Sequence, residues 1–580
     1  MPSTADPFDV RRAFGATGLL AEFNAAGVLA AADVHVARRI GDLLGEGDES
    51  VRLAAALAVR APRIGHVHVD LATIRDTATV ETADPDEEPV DLGALPWPDD
   101  DWVGRVSISR LVSDGPLRLE GSALYLDRYW QEERQVAADL LALNEPLAPD
   151  EARLADGLAR LFADDRSGKQ ALAAETAARR RLAIVAGGPG TGKTTTVARI
   201  LALLYEQDPD LHVALAAPTG KAQSRLQEAV ATEARRLHAS DDVRARILDL
   251  RASTLHRLLG WRPDNRSRFR HHRGQRLPHD VVIVDETSMV SLSMMARLVE
   301  AIRDGGRLIL VGDPGQLASV EAGAVLGDIV RAADGPLGAG IVVLDHVYRY
   351  DDAIARLAEA IRAGDADAAL AVLGGGHDDV RWVAGDAPDL MAPALAAARA
   401  VRAAALADDG PAALGALAGF RILCAHRRDV AAWTERLESA LAVDTHDRFY
   451  PGRPLLVTSN DYDLGLFNGD TGVVVGEDRV TAAFERGLVI SPARLGAVDT
   501  AYAMTIHKAQ GSQFHTAAVL LPDPNSRILT RELLYTACTR AQQHLILAGT
   551  EASIRTAIDR PIARASGLRA RLEAKHPDKG

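Results

Sequence analysis

Cysteines and long apolar runs are scarce in this 580-residue chain. Its two cysteines, Cys424 and Cys538, lie far apart in the sequence, so neither a disulfide framework nor a cysteine-based metal site is expected. Both are predicted to pack as small core residues. No apolar run is long enough to span a bilayer, and the N-terminus lacks the basic and apolar regions of a secretion signal. These absences predict a cytoplasmic protein without membrane contact.

Positive charge is also in short supply, since the net charge is −14 and the isoelectric point is about 5.7. A protein that binds nucleic acid usually carries a basic footprint. Either a locally basic groove lies on an acidic body, or the chain binds no nucleic acid. Lysine is rare as well: only six of the 66 basic residues are lysines. Three of them, Lys193, Lys221 and Lys508, fall inside motifs, where a compact point charge is not replaceable by arginine.

The clearest motif begins with the apolar run Leu182–Val185, which predicts a buried strand. It continues as Gly187-x-x-x-x-Gly192-Lys193-Thr194, the phosphate-binding loop pattern, and then as a helical stretch. Glycines let the backbone N–H groups converge on an anion, and the helix N-terminus adds its dipole. Lys193 is predicted to contact the β- and γ-phosphates of ATP, and Thr194 to contact Mg²⁺. The predicted nucleotide-binding residues are Gln170, Gly187, Gly188, Pro189, Gly190, Thr191, Gly192, Lys193, Thr194 and Thr195.

Two later strands deliver polar groups that suit ATP hydrolysis. Val281–Val284 is followed by Asp285 and Glu286. Behind a phosphate-binding loop, this pair predicts a Mg²⁺-binding carboxylate at 285 and a water-polarising carboxylate at 286. A third strand ends near Gln316, which could bond a γ-phosphate and report its loss.

The densest basic patch lies between these strands, at residues 261–276. It holds six arginines against one aspartate. One interpretation is a solvated loop. The interpretation we favour is contact with nucleic acid phosphates through Arg268 and Arg270, because such contacts bind largely by counterion release.

The chain before the motif carries no chemical signature. Helical periodicity covers much of residues 10–61, an acidic, proline-rich connection covers 81–102, and Leu117–Leu126 predicts a hairpin. The N-terminal region could dock partner subunits or simply cap the rest. In the second half, short β segments from about 466 to 500 predict a small inserted barrel.

Taken in order, the segments GGPGTGKTT, APTGKA, STLHRLLG, DETSM, GDPGQLASV, VYR, LGLFNGD, TIHKAQGS and RELLYTACTRA resemble superfamily 1 helicases. Specifically, they resemble the RecD group, the family of the exodeoxyribonuclease V alpha subunit. The resemblance covers about residues 110–550. It implies an α/β fold with two RecA-like parallel-sheet domains, ATP between them, and single-stranded DNA across both.

The resemblance also implies roles for individual residues. Hydrolysis would use Lys193, Thr194, Asp285, Glu286 and Gln316 from the first domain and the arginine fingers Arg349 and Arg540 from the second. The residues that fall where the family contacts DNA are Thr219, Lys221, Thr254, His256, Thr505 and His507. Gln513 departs from the family pattern, which usually has glutamate there.

These observations predict three domains. A helical partner-docking domain would cover residues 1–110, and a first motor domain 111–335 with a basic insertion at 261–279. A second motor domain would cover 336–580, with an SH3-like β-barrel insertion at about 466–500.

The family implies a 5′→3′ DNA helicase that acts at duplex ends. Stand-alone relatives carry a longer N-terminal extension, so this chain resembles the form that docks RecB-like and RecC-like subunits. A nuclease site of its own is not expected. Two alternatives stay open: a stand-alone helicase of the same group, and an ATPase subunit that gates a complex without unwinding.

Overall fold

The computed structural model describes residues 11–80, 91–165, 167–262, 265–346, 353–383, 388–461, 463–477 and 479–574. The predicted finger Arg349 and part of the predicted acidic connection, residues 81–90, lie outside the described residues. Within them, no helix combines the length and the apolar character needed to cross a membrane.

Residues 11–80 and 91–126 form an N-terminal module of helices packed on a three-stranded antiparallel sheet, in the order β1-β3-β2. Its elements are α1 Gly18–Ala25, α2 Ala31–Leu44, α3 Glu49–Arg63, β1 His68–Asp70, α4 Ile74–Thr77, α5 Trp102–Ile108, α6 Arg110–Ser113, β2 Leu117–Glu120 and β3 Ala123–Leu126. The predicted hairpin is confirmed as β2–β3. However, Leu117 and Leu124 pack into the core of this module, so its boundary lies beyond the predicted residue 110.

The first lobe is an α/β unit around a six-stranded parallel sheet, in the order β11-β4-β10-β9-β5-β6. Its elements are α7 Asp127–Leu143, α8 Glu151–Leu161, α9 Lys169–Arg179, β4 Leu182–Gly187, α10 Lys193–Gln207, β5 Val213–Ala217, α11 Gly220–Arg236, α12 Asp241–Asp249, β6 Ala252–Thr254, α13 Leu255–Leu259, β7 Trp261–Arg262, β8 Asn265–Phe269, β9 Val281–Val284, α14 Leu292–Ala301, β10 Arg307–Gly312, α15 Val325–Arg331 and β11 Ile341–Leu344.

The apolar run of β4 is continuous because both faces of this sheet are covered. Leu182 and Ile184 pack into one core cluster, whereas Ala183 and Val185 pack into another. A strand buried on both faces has no polar alternation. The predicted start of the second motor domain at residue 336 is too early, because β11 pairs with β4 in the first sheet. An apolar strand does not encode in its own residues which sheet it joins.

The second lobe is built on a five-stranded parallel sheet, in the order β12-β21-β20-β13-β19. Its elements are α16 Ala353–Ala363, α17 Ala366–Leu373, β12 Val380–Val383, α18 Pro388–Leu406, α19 Gly410–Gly419, β13 Phe420–Cys424, α20 Arg427–Leu441, β14 Pro454–Val457, β15 Thr471–Val475, β16 Thr481–Phe484, β17 Leu488–Ile490, β18 Val498–Thr500, β19 Ala503–Thr505, β20 Phe514–Leu520, α21 Arg531–Cys538, β21 Ala541–Ala548 and α22 Glu551–Asp559. The last helix, α23 Leu568–Glu573, packs instead against α7 and α15 of the first lobe. Both cysteines are buried, as predicted.

The β insertion is a separate five-stranded antiparallel sheet, in the order β17-β16-β15-β14-β18. Its first strand, Pro454–Val457, precedes the predicted start at 466 because β14 pairs with β15 and β18 across intervening loops. The insertion has its own small apolar core around Leu455, Val474 and Phe484. Its description as an SH3-like barrel stays a prediction.

Candidate nucleotide and strand sites

The loop between β4 and α10 has the backbone geometry that its glycines permit. Gly190 and Gly192 have φ angles of 79° and 80°, a left-handed conformation that other residues rarely adopt. Gly188 is restricted by space instead, since a Cβ atom there would lie 2.9 Å from the hydroxyl oxygen of Tyr535 in the second lobe. The loop therefore lies directly against the opposite lobe.

Lys193 begins α10 and folds its ammonium group back over the loop. Its Nζ donates to the carbonyl oxygens of Gly187, at 2.7 Å, and Gly188, at 2.9 Å. Both partners are neutral backbone groups. A triphosphate in the loop would offer the ammonium charged oxygens instead, and charge-assisted bonds are about twice as strong as neutral ones.

Asp285 and Glu286 follow β9, next to the phosphate-binding loop. The Asp285 carboxylate accepts a hydrogen bond of 2.8 Å from the Glu286 backbone N–H. Loss of solvent, followed by repulsion from Glu286, raises the pKa of Asp285, while Lys193 and Arg225 oppose that rise. Glu286 has a φ of 52°, a strained backbone for a residue with a side chain, and such strain clusters at functional sites.

The loop after β10 carries Gln316, the predicted γ-phosphate contact, and bonds to the second lobe. Gln316 donates to Asp313 Oδ2 at 3.1 Å, and the Tyr535 hydroxyl donates to the same oxygen at 3.0 Å. Leu317 adds a backbone N–H bond of 2.9 Å to Thr536 Oγ1. The loop that carries Gln316 is therefore hydrogen-bonded to helix α21.

Removing the Tyr535 hydroxyl with Tyr535→Phe tests this contact. Asp313 is 1% exposed, so it would lose a buried hydrogen bond without regaining water. We expect a loss of about 1–3 kcal/mol in the free energy of unfolding, measured as a lower midpoint in denaturant. Tyr129→Phe on α7 is the matched control, because it removes the same group away from α21. Equal midpoints for the two variants would contradict this role.

Arg540 approaches the site from the second lobe. Its side chain is 2% exposed, and it donates to Thr536 O at 3.0 Å, Ser512 O at 3.1 Å and Thr539 Oγ1 at 3.3 Å. All three acceptors belong to the second lobe. Burial lowers the pKa of Arg540, whereas the nearby Glu286 raises it.

A single cavity of about 790 Å³ brings these groups together between the lobes. The predicted catalytic residues that line it are Lys193, Thr194, Asp285, Glu286, Gln316 and Arg540. Of the predicted nucleotide-binding residues, Gly187 and Thr191 do not line it. Thr191 is buried, and its backbone carbonyl accepts a hydrogen bond from Gln170 Nε2. Thr191 therefore supports the loop from behind and does not face the cavity.

Gln170 is more enclosed than its helical position suggests. It is 4% exposed, and its amide is engaged twice, with Thr191 O at 3.1 Å and with Arg199 Nη1 at 3.3 Å. Its side chain still lines the cavity. Gln170 thus holds the phosphate-binding loop in place, and its contact with the nucleotide stays a prediction.

A second groove of about 720 Å³ contains four of the predicted DNA contacts: Thr219, Lys221, Thr505 and His507. They come from both lobes. Lys221 is buried, which lowers its pKa, and its Nζ donates to Gly469 O of the β insertion at 3.4 Å. The N-terminal module also reaches this groove through Arg63.

Two other predicted DNA contacts, Thr254 and His256, do not line that groove. Thr254 Oγ1 accepts the Arg257 N–H and caps α13, and His256 packs on the ring of Phe269. Thr254 ends β6 and His256 lies in the helix that follows, so their spacing in the sequence could not reveal that His256 packs on the β7–β8 hairpin.

The predicted basic patch contains the hairpin β7–β8, with Arg268 and Arg270 exposed. Two of its other arginines are engaged by acids: Arg273 pairs with Asp139 at 2.7 Å, and Arg276 with Asp304 at 3.4 Å. Arg268 and Arg270 are therefore the better candidates for a phosphate ligand.

Four arginines in the cavity lining were missed by sequence reasoning: Arg160, Arg199, Arg225 and Arg236. Arg225 of α11 lines the cavity beside Lys193 and Arg540. Its only signal in the sequence is a position four residues after Lys221, which places both on one face of a helix.

Models of known protein families match segments in the N-terminal module and in both lobes. Family models match residues 25–125 (RecBCD enzyme subunit RecD, N-terminal domain), 166–384 (AAA domain) and 500–548 (UvrD-like helicase C-terminal domain). The RecBCD enzyme subunit RecD of Mycolicibacterium smegmatis is 50% identical, over 94% of this chain and 98% of the relative. That of Mycobacterium tuberculosis H37Rv is 49% identical, over 98% and 99%.

A more distant relative is the ATP-dependent RecD2 DNA helicase of Deinococcus radiodurans. It is 32% identical, over 70% of this chain but only 52% of the relative. The match to the two RecBCD enzyme subunits RecD covers nearly the whole chain and confirms the predicted resemblance. The chain belongs to the family of RecBCD enzyme subunit RecD.

Proposed function

We propose that this chain is the ATP-dependent 5′→3′ DNA helicase subunit of a RecBCD-type complex, exodeoxyribonuclease V, acting on DNA ends in double-strand break repair. The observation that carries the proposal is the cavity between the lobes, because Arg540 of one lobe lines it with Lys193 and Glu286 of the other. A site completed from both lobes makes hydrolysis depend on how they close.

In this proposal the loop at 187–195 binds the phosphates of ATP, and Lys193 neutralises the β- and γ-phosphates. Thr194 and Asp285 supply hard oxygen ligands that suit Mg²⁺, which would offset charge on the phosphates. Glu286 orients the attacking water, and Gln316 contacts the γ-phosphate. Arg540 stabilises the charge of the transition state, and Arg349 is proposed as a second finger from the family resemblance.

Single-stranded DNA is proposed to lie in the groove that contains Thr219, Lys221, Thr505 and His507, which is called the strand groove below. Residues from both lobes line this groove, so a change in the distance between the lobes would alter the contacts with the DNA. Thr254 and His256 are retained only as contacts outside this groove, beside the hairpin. The 5′→3′ direction and the RecB-like and RecC-like partners rest on the family.

Two measurements test the proposal. Co-expression with RecB-like and RecC-like chains should give one complex by size exclusion, with the N-terminal module as the docking surface. The complex should then unwind a duplex with a 5′ single-stranded overhang, and Glu286→Gln in this subunit should reduce that unwinding. Unwinding unchanged by Glu286→Gln would indicate that this subunit does not drive the strand.

The exposed arginines of the hairpin provide a separate prediction. Replacing Arg268 and Arg270 with alanine should reduce the slope of log affinity against log salt by about 1.4, because each phosphate contact to a single strand contributes about 0.7. Fluorescence anisotropy with labelled single-stranded DNA measures the slope. The matched control replaces Arg273 and Arg276, which are already paired with acids. An unchanged slope in the first variant would contradict phosphate contact.

A further inference from the structure

Arg225 crosses the cleft between the lobes. It lies on α11 of the first lobe, and it donates to Gly511 O at 2.8 Å and to Gln513 Oε1 at 3.0 Å in the second lobe. The side chain is half-buried. Bonds from a guanidinium to two acceptors fix its plane as well as its distance. Arg225 therefore clasps a short segment, Gly511–Gln513, to the first lobe.

The same segment also holds Arg540. The carbonyl of Ser512, between the two acceptors of Arg225, accepts a hydrogen bond of 3.1 Å from Arg540 Nη1. Gly511 has a φ of 72°, which turns the chain so that these neighbouring carbonyls face different partners. Two arginines from opposite lobes are thus bound to consecutive residues, and a shift of the segment moves the acceptor of Arg540.

The helix that carries Arg225 also reaches the strand groove. Thr219 caps the N-terminus of α11, and Lys221 on its first turn lines the groove. Lys221 and Arg225 are four residues apart, so they lie on one face about one turn from each other. A displacement of the start of α11 is transmitted directly to Arg225, because a helix moves as a rigid element.

We propose that Arg225 is a positioning residue that sets Arg540 through the Gly511–Gln513 segment and conveys occupancy of the strand groove to the ATP cleft. This inference rests on the proposed function, since it requires ATP hydrolysis that responds to a DNA strand. It also gives Gln513 a role: the side chain is an acceptor for Arg225, and Gln542 Nε2 donates to the same oxygen at 3.4 Å.

Because the Gln513 side chain is neutral, its hydrogen bond with Arg225 can break when the lobes separate. A hydrogen bond from a cation to a neutral amide is weaker than one to a carboxylate. Glutamate at this position would form an ion pair across the cleft and oppose its opening. The amide keeps the geometry of the contact and lets the lobes separate in each cycle.

The test compares the full chain with Arg225→Gln in steady-state ATP hydrolysis, with and without oligo-dT. Loss of the positive charge at position 225 should lower the kcat measured with oligo-dT about tenfold, as expected for hydrogen bonds to a charged group. The KM for ATP should stay within about twofold, because Arg225 is bound to the Gly511–Gln513 segment and not to the phosphate-binding loop. Arg225→Lys, which keeps a charged donor, should recover part of the stimulation. Arg235→Ala, an exposed arginine on the same helix, is the control.

A double-mutant cycle isolates the contact from a general effect of charge. Gln513→Ala should lower the stimulation less than Arg225→Gln, because the bond to Gly511 O survives. Gln513→Ala in the Arg225→Gln background should add no further loss. This second variant also keeps the inference testable if Arg225→Gln does not fold, because Gln513→Ala leaves every arginine in place.

The possible outcomes separate the two proposals. If the unaltered chain shows no stimulation by oligo-dT, the proposed function is overturned, and this inference with it. If the unaltered chain is stimulated and Arg225→Gln is stimulated equally, only the inference is overturned. A raised KM for ATP with normal stimulation would mean that Arg225 binds the nucleotide directly, which also overturns a positioning role.

Discussion

Lys193→Gln is expected to abolish measurable ATP hydrolysis while the fold survives. In the structure the ammonium group donates only to the backbone carbonyls of Gly187 and Gly188, and a glutamine amide can still donate to such acceptors. It cannot supply the positive charge that the phosphates require. Removal of one fixed electrostatic contact to a transition state costs about a hundredfold to a thousandfold in kcat.

The measurement is steady-state hydrolysis, together with the circular dichroism spectrum and the thermal midpoint of the same preparation. Lys169→Gln at the start of α9 is a suitable control, because it removes the same charge from a residue that does not line the cavity. Turnover retained in Lys193→Gln would refute the assignment of this cavity to ATP.

Arg540→Ala should have an effect at least as large. An arginine that stabilises the γ-phosphate is worth about 10³–10⁵ in kcat. In the described structure Arg540 is bound to three acceptors of its own lobe, so it must exchange at least one of them to reach a phosphate. Binding of ATP itself should persist, because Lys193 and the phosphate-binding loop belong to the other lobe.

Two further variants separate chemistry from packing in this experiment. Arg540→Lys keeps the charge but loses the planar fork, so we expect it to remain impaired. Arg531→Ala, at the start of helix α21 that precedes Arg540, removes a guanidinium that donates to Ile558 O outside the cavity. If Arg531→Ala and Arg540→Ala lose activity and thermal stability equally, the loss is structural, and Arg540 is not a finger.

Local motifs were predictable because their chemistry is contained in a few adjacent residues. The strand, loop and helix from Leu182 to Gln207 form as expected, since the apolar run, the glycines and the helix-forming residues act over short distances. Asp285 and Glu286 were recognisable for the same reason. They directly follow a buried strand, and parallel strands present their carboxyl ends at one edge of a sheet.

Boundaries between structural units were less predictable because they depend on pairing between distant segments. The β2–β3 hairpin was identified, but its packing into the N-terminal module depends on β1, which precedes it by about fifty residues. Likewise β11 joins the first sheet and β14 joins the insertion. Apolar strands are interchangeable in composition, so their partners are selected by the packing of the whole unit.

The sequence by itself determined the family, the phosphate-binding loop and the acidic pair, because each is encoded by the type and spacing of neighbouring residues. Only the tertiary structure decided which residues meet across the cleft: Arg225 with Gln513, and Tyr535 with Asp313. It also showed that Thr254 and His256 do not line the groove that contains Thr219, Lys221, Thr505 and His507. Contacts between residues about 220 to 290 positions apart leave no periodic or local signal, because they arise only when two separately folded lobes pack against each other.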